Sequence, residues 1–420
     1  MEYGKTISEE ADRLYRRHYG SLTASLVSFF RLSSLVLAED IVQSAFVSAI
    51  ESWEKKGLPD DPAAWLYRVC RNRAIDELRK PRWREDLKPG TGYYDGEEAL
   101  DVSLDQAFTP STIGDNRLRL LFAACHPAFS PKARLILTLK TLGGLKTNEI
   151  ARALNMQDDA VRRSLNRTRA QIRQKNMPLH VPFALQSQER LASVHQVLYL
   201  MFNEGYNASF GHEVLRKELC LEAMRQTATI IKEKHMSSPD THALYALMLF
   251  SAARFDSRTG PDGRIIELAE QDRSLWDREI IGEGIRHFLI AKNGRPWSRY
   301  YYEAGIASLH ASAASFDTTD WQAIVRLYDD YIADIGNSPF VRLNRALAIH
   351  YWGDTPLAIS EMEENTAIKD QPLYHVSLAE LYNASGQKGL AIDCYLEALN
   401  KETNERMQEA IRKKLNRLTI

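Results

Sequence analysis

Nowhere in the 420 residues do about 18 apolar residues run uninterrupted, which argues against a hydrophobic membrane-spanning helix. The opening stretch, MEYGKTISEEADRLYRRHYG, lacks an apolar signal-peptide core, so no secretory leader is expected and the cytoplasm is the expected compartment. Cysteine is scarce. Cys70, Cys125, Cys220 and Cys394 lie far apart, with no CxxC pair and no regularly spaced histidines, a pattern that fits neither a disulfide framework nor a zinc site. Reduced, mostly buried thiols are expected, with no metal and no cofactor. Catalytic signatures are missing as well: there is no HExxH, P-loop, nucleophile elbow or GxGxxG context. Asn203, Glu204, Asp272, Asp277, His287 and His310 are residue types that serve acid/base or metal chemistry. Without such a context they are expected to act as helix caps and interhelical bonds, and no catalytic residue is assigned.

What the chain does have is helical periodicity. Apolar residues recur at three- and four-residue spacing almost throughout, with no convincing alternating run, which predicts an all-α protein. A first helical block covers about Glu9–Pro81. Arg82–Thr112 follows, gathering Gly, Asp and Pro in KPGTGYYDGEE and DQAFTPST without an apolar face, as a linker does. A second block, about Gly114–Lys175, ends before Met177-Pro178 and Pro182. Helices resume from about Phe183, broken near Ser237–Pro239, Arg258–Gly263, Asn293–Pro296 and Gly336–Pro339. Towards the end, AIHYWGDTPLAISEMEE aligns with AELYNASGQKGLAIDCYLEA, pairing Gly353 with Gly386 and Ala358 with Ala391 at an offset of 33 residues. That offset is close to the ~34-residue period of tetratricopeptide helix pairs, and a generic array of helical hairpins fits equally well.

A net charge of −1 conceals an asymmetry. Residues 1–177 hold 28 Lys and Arg against 23 Asp and Glu, whereas the remainder holds 26 against 32. The basic excess is concentrated in Arg68–Lys88, with eight basic residues against four acids, and in Arg152–Lys175, with seven against Asp158 and Asp159. Two cationic stretches joined by a linker suit a protein that touches a polyphosphate at two places.

The second stretch carries the most informative pattern, LKTNEIARALNMQDDAVRRSLNRTRAQIRQ, Leu145–Gln174. Thr147 is positioned to cap a short helix with Ile150, Ala153 and Leu154 on one face. After a turn at Asn155–Gln157, Asp158 is positioned to cap a longer helix with Val161, Leu165, Thr168 and Ile172 inward. Arg162, Arg163, Asn166, Arg167 and Arg169 then fall on other faces. A short helix, a tight turn and a basic second helix form a helix-turn-helix, in which arginine and asparagine can read base edges in the major groove. Asp158 and Asp159 sit at the positive end of the second helix dipole, a structural role.

These residues resemble a known family. Leu145–Arg169, with Glu149-Ile150-Ala151 before its turn, looks like region 4.2 of the extracytoplasmic-function (ECF) sigma factors of bacterial RNA polymerase, and Phe129–Leu142 resembles region 4.1. Leu37–Trp53 (LAEDIVQSAFVSAIESW) is similar to region 2.2, and Asp61–Lys80 (DPAAWLYRVCRNRAIDELRK) resembles regions 2.3 and 2.4. LYLMFNEGY (Leu198–Tyr206) and EQDRSLWDREII (Glu270–Ile281) resemble the C-terminal extension of one subgroup.

The resemblance implies a region 2 domain over residues 1–88, a linker over 89–112, a region 4 helix-turn-helix domain over 113–177, and a helical, tetratricopeptide-like extension over 178–420. It implies that the chain binds core RNA polymerase, with Asp40, Gln43 and Phe46 facing the β′ clamp helices and a further contact to the β flap. Ser44 stands where an acidic residue is common. Arg68, Arg71, Asn72, Arg73 and Arg79 are implied to hold the opened minus-10 strand; Trp65, Tyr67 and Trp83, interleaved with them, can stack on bases, although Trp65 and Leu66 are candidates for burial and at least one aromatic there is expected to be core. Arg152, Arg162, Arg163, Asn166 and Arg167 are implied to meet the minus-35 duplex of promoter DNA. The acidic extension is expected to fold back on the basic domains or to bind a protein partner. The competing reading is a helical-repeat adaptor or regulator whose helix-turn-helix works without polymerase.

Overall fold

The computed structural model describes residues 2–30, 34–80, 110–154, 156–175, 186–206, 216–260, 266–402 and 405–419. It is all-helical, with no strand among the described residues. No described helix is long and apolar enough to cross a membrane. The chain divides into two compact units, residues 1–241 with 259–265, and residues 242–258 with 266–420.

The first unit opens with α1 (Glu2–Phe30), α2 (Leu35–Lys56) and α3 (Pro62–Leu78). Leu35, Ala38, Val42, Ala45, Ala49 and Trp53 of α2 are buried, at the spacing that keeps one helical face inward. Gly57, at φ 80°, ends α2 and donates its N–H to the Trp53 carbonyl. The Asp61 carboxylate accepts from the Ala64 N–H at 2.9 Å, and Pro62 occupies the first turn of α3, so sequence chemistry fixes where α3 begins. Most of the expected linker, residues 81–109, lies outside the described residues, and Trp83 with it.

Next come α4 (Pro110–Ala124), α5 (Pro131–Thr141), α6 (Thr147–Ala153) and α7 (Asp158–Gln174), then α8 (Gln186–Tyr206) and α9 (Lys217–Lys232). Helices α4 and α5 form the centre of the unit. Leu118, Leu120–Ala124 and Leu135–Leu139 are all buried, because α4 packs against α1, α8 and α9, while α5 packs against α1, α7 and α8. A helix enclosed on all sides loses its amphipathic stripe. At two places helices approach too closely for a side chain. A Cβ on Gly20 of α1 would lie 2.4 Å from the Leu142 carbonyl oxygen, and one on Gly205 of α8 would lie 2.7 Å from the Cys220 sulfur of α9.

The second unit takes in most of α10 (Pro239–Ala252), then α11 (Phe255–Arg258), α12 (Arg278–Ala291), α13 (Arg299–Ser312), α14 (Trp321–Asp334), α15 (Pro339–Trp352), α16 (Thr355–Glu364), α17 (Pro372–Ala384), α18 (Lys388–Lys401) and α19 (Glu405–Thr419). Consecutive helices pack as hairpins. The 33-residue repeat lands on equivalent places: Gly353 (φ 115°) turns α15 into α16, Gly386 (φ 79°) turns α17 into α18, and Ala358 and Ala391 are fully buried. Small residues at those buried positions let the paired helices approach.

The EQDRSLWDREII segment is a plug within this unit. Trp276 is buried and donates its indole N–H to the Ser257 hydroxyl at 2.9 Å. The Arg273 guanidinium lies 4.6 Å from the Trp276 ring centre and donates to the carbonyls of His310 and Ala313 at 2.6 and 2.8 Å. Asp272 accepts from the Ser274 N–H, and Asp277 caps α12. Both aspartates thus act as caps. His287 bonds His242 at 2.7 Å and Glu283 at 3.0 Å. His310 is held neutral by burial, its pKa lowered to about 4, with its ring edge on Trp321.

Candidate nucleic-acid interface

Helix α7 is the most polar long helix of the first unit, and its geometry sorts its residues cleanly. Val161, Leu165, Thr168 and Ile172 are buried, within one narrow sector at 100° per residue. Arg162, Arg163, Asn166, Arg167 and Arg173 are exposed on the opposite side. Asp158 and Asp159 occupy the first turn, while the capping position belongs to Gln157, whose side chain makes no cap bond. The expected Asp158 cap is therefore replaced by a purely electrostatic role at the helix dipole. On α6 the Glu149 carboxylate, not the Thr147 hydroxyl, satisfies an orphan amide, accepting from the Lys146 N–H at 2.7 Å. Glutamate at the third helical position does this because its longer arm reaches back over the first turn. Arg152 belongs to α6, and its side chain lies outside the described residues.

Helix α3 supplies the other cationic surface. Arg68, Asn72 and Arg79 are exposed and fall within about 40° of one another around the helix axis. Arg71 is half-buried. Arg73 is directed elsewhere: it donates to the Ser44 and Ser48 hydroxyls of α2, both at 2.7 Å. Ser44, the residue that departs from the acidic pattern, thus works as an internal acceptor tying α3 to α2. Trp65 is half-buried with its ring edge on Trp53, centroids 5.5 Å apart, and Tyr67 is half-buried against His18.

Asp40 and Gln43 are exposed on α2. Phe46, assigned to that surface by the resemblance, points inward at 5% exposure, its ring edge on Tyr15. It shapes the α1–α2 packing beneath the surface.

Sequence reasoning missed the residues that join these surfaces. Arg169, at the border between the buried and basic faces of α7, pairs with Glu39 of α2. Glu39 is 2% exposed, and burial raises its carboxyl pKa against the opposing pull of Arg169 and Lys140. Arg117 of α4 is also buried. It donates to the Ser21 hydroxyl of α1 at 2.5 Å and pairs with buried Glu222 of α9. Nearby, α1, the α5–α6 turn and α9 enclose a cavity of about 330 Å³, lined by Arg16, Arg17, Arg117, Glu149, Arg216 and Glu222 among others. Ion pairs between residues a hundred positions apart leave no periodic or local trace in sequence; a charged residue on an otherwise apolar helix face, as at Arg117 and Glu39, was the available signal.

Residues 14–84 match the model of sigma-70 region 2, and residues 190–292 match a family of unknown function, DUF6596. An uncharacterized protein of Rhizobium meliloti is 33% identical over 94% of this chain and 92% of its own length. The ECF RNA polymerase sigma factor SigG of Mycobacterium tuberculosis is 30% identical over 33% of this chain and 42% of its own. A probable RNA polymerase sigma factor, RfaY, of Xanthomonas campestris is 30% identical over 39% of this chain and 40% of its own. This chain therefore spans about two fifths of the length of those two sigma factors. No solved structure matches. The chain belongs to one family with the Rhizobium meliloti protein, carries a sigma-70 region 2 domain, and is a distant relative of the ECF sigma factors.

Proposed function

We propose that this chain is a sigma factor that binds core RNA polymerase through the exposed Asp40 and Gln43 face of α2 and directs it to promoter DNA. In this reading Arg68, Asn72 and Arg79 of α3, with Arg71, hold the melted minus-10 strand, and Arg73 positions α3 on α2. Arg162, Arg163, Asn166 and Arg167 of α7, with Arg152 of α6, meet the minus-35 duplex. The β′ clamp helices and the β flap are the polymerase surfaces, and the chain itself makes or breaks no covalent bond. Its functional divisions run over residues 1–88, 89–112, 113–177 and 178–420, the last regulating the others or docking a partner.

The observation that carries this reading is the pairing of two exposed basic helix faces, α3 and α7, on a chain whose residues 14–84 match sigma-70 region 2. Phosphate contacts release counterions, so binding falls steeply with salt. Purified chain mixed with bacterial core polymerase is expected to co-elute with it and to yield promoter-specific run-off transcripts from genomic fragments. Arg163→Ala with Arg167→Ala is expected to lower holoenzyme affinity for duplex promoter DNA and to reduce the log–log salt slope by about 2. Failure to co-elute with core enzyme would contradict the reading.

A further inference from the structure

Two side chains of the helix-turn-helix segment each hold two other parts of the first unit at once. Arg117 of α4 reaches the Ser21 hydroxyl of α1 at 2.5 Å and Glu222 of α9. Glu149 of α6 lies 3.9 Å from Arg16 of α1 and 3.6 Å from Arg216, the residue before α9. Each node thus joins region 2, the helix-turn-helix segment and the start of the family of unknown function.

Close packing surrounds the nodes. Gly20 of α1 lies against the Leu142 carbonyl, and a Cβ on Gly144 would meet the Tyr19 Cβ at 3.3 Å. A Cβ on Gly143 would come within 3.3 Å of Leu219 of α9. The Glu39–Arg169 pair adds a third tie, between α2 and α7.

This arrangement brings the two DNA-facing helices together. Helix α3 packs on α2, and α7 is tied to α2 through the Arg169–Glu39 pair, so both basic helices are held to the same helix. Elements at minus-35 and minus-10 lie about 25 base pairs apart, or about 85 Å along B-form DNA at 3.4 Å per step. A compact body of this unit's size is only about 45 Å across. The first unit as folded here cannot span both elements.

We infer that helices α8 and α9, the part of the family of unknown function that belongs to this unit, are a clasp. They hold region 2 and the helix-turn-helix segment closed, and engaging a promoter requires Arg117 to leave Glu222 and Ser21. This inference rests on the proposed sigma-factor role, because closure matters only if the two surfaces must part. Burial makes the clasp sensitive to loss of Glu222: Arg117 and Glu222 have 7% and 8% of their side chains exposed, and without the carboxylate the Arg117 charge stays in a dry site with the neutral Ser21 hydroxyl, whereas Glu222 also pairs with Arg225 at 2.7 Å. A ligand, partner or polymerase surface that draws off Glu222 or Arg117 would open it.

The test uses the full chain labelled with a donor and an acceptor dye at two exposed positions, Glu51→Cys on α2 and Gln174→Cys on α7, with Cys394→Ser to remove the part-exposed thiol. Energy transfer in the free wild-type background is expected to be high, and to fall at least twofold in the Glu222→Ala plus Glu149→Ala variant. Unchanged transfer in that variant, with a cooperative melt retained, would overturn the clasp.

A lock covers the case in which the variant fails to fold. Tyr19→Cys with Gly144→Cys places two thiol-bearing carbons near disulfide distance. The oxidised protein is expected to give at least tenfold less run-off transcript with core polymerase than the same sample after dithiothreitol. Equal transcription before and after reduction, above the level given by core polymerase alone, would overturn the clasp. No transcription by the wild-type chain would instead overturn the sigma-factor reading, and the energy-transfer result still decides whether the clasp exists.

Discussion

The two units of this chain are held together in opposite ways. In the second unit the ion pairs between helices are part-exposed: Arg345 of α15 joins Asp329 of α14 and Glu361 of α16, each 16 residues away, with partner side chains 50% and 22% exposed, and Lys414 of α19 reaches Glu267 with side chains 25% and 60% exposed. In the first unit the ties run between residues far apart and are buried, 130 positions from Glu39 to Arg169 and 105 from Arg117 to Glu222. Stacked hairpins gain stability from neighbour contacts, each of which depends little on distant ones. Buried long-range charge pairs add little net stability when intact but cost heavily when one partner is removed. The first unit is therefore built to be coherent or to come apart, and the second to persist through local damage.

The sharpest way to break this contrast is to delete one partner in each unit. Glu222→Ala leaves the buried Arg117 guanidinium without its carboxylate and is expected to cost the closed first unit about 3–5 kcal/mol. Arg345→Ala removes a part-exposed cation and is expected to cost about 1 kcal/mol or less. Hydrogen exchange resolved along the sequence should show faster exchange over residues 1–241 in the first variant and little change over 266–420 in either. Equal and local effects would end the distinction.

Acid should reach the first unit through His195. Its ring bonds the Thr241 hydroxyl at 2.8 Å, and burial lowers its pKa to about 4. The folded state keeps this imidazole neutral, so its contribution is intact above the unfolded pKa of about 6.5 and is lost as pH falls from there towards 4. The full loss is about 3 kcal/mol. His195→Gln should flatten that part of the pH–stability curve measured by denaturant melts; an unchanged acid limb would show that His195 does not set it.

Smaller effects should distinguish two kinds of glycine. Gly20→Ala drives a methyl group into the Leu142 carbonyl at 2.4 Å, backbone that cannot swing aside, and should cost about 1–3 kcal/mol. Gly353→Ala meets open space but must adopt φ 115°, at about 1–2 kcal/mol. The first should also reduce energy transfer between α2 and α7, and the second should leave it unchanged. A thermal melt together with that transfer measurement separates packing from strain.

Periodicity made most of the architecture readable. The inward set Val161, Leu165, Thr168 and Ile172 is buried as its spacing requires, and the Gly353/Gly386 and Ala358/Ala391 offsets mark real turns and real close contacts. Capping was read less well, because Thr147 and Glu149 are both competent and only the geometry of the first turn chooses between them. The exposed face of α7 was legible from its arginines. The internal use of Arg73 was not, since nothing local says that Ser44 and Ser48 of another helix will face it. Phe46 shows the same limit: an aromatic on an amphipathic helix reads equally as contact surface or as core, and Tyr15 decides it. The long-range pairs that close the first unit depend on tertiary approach alone.

The most direct measurement is run-off transcription from genomic fragments by bacterial core polymerase with and without the full chain. Transcripts are expected to begin at defined positions only when the chain is present, and to be lost when Arg68, Asn72 and Arg79 are replaced together by Ala. Core enzyme that starts at the same positions without the chain, or a triple variant as active as wild type, would contradict the proposed role.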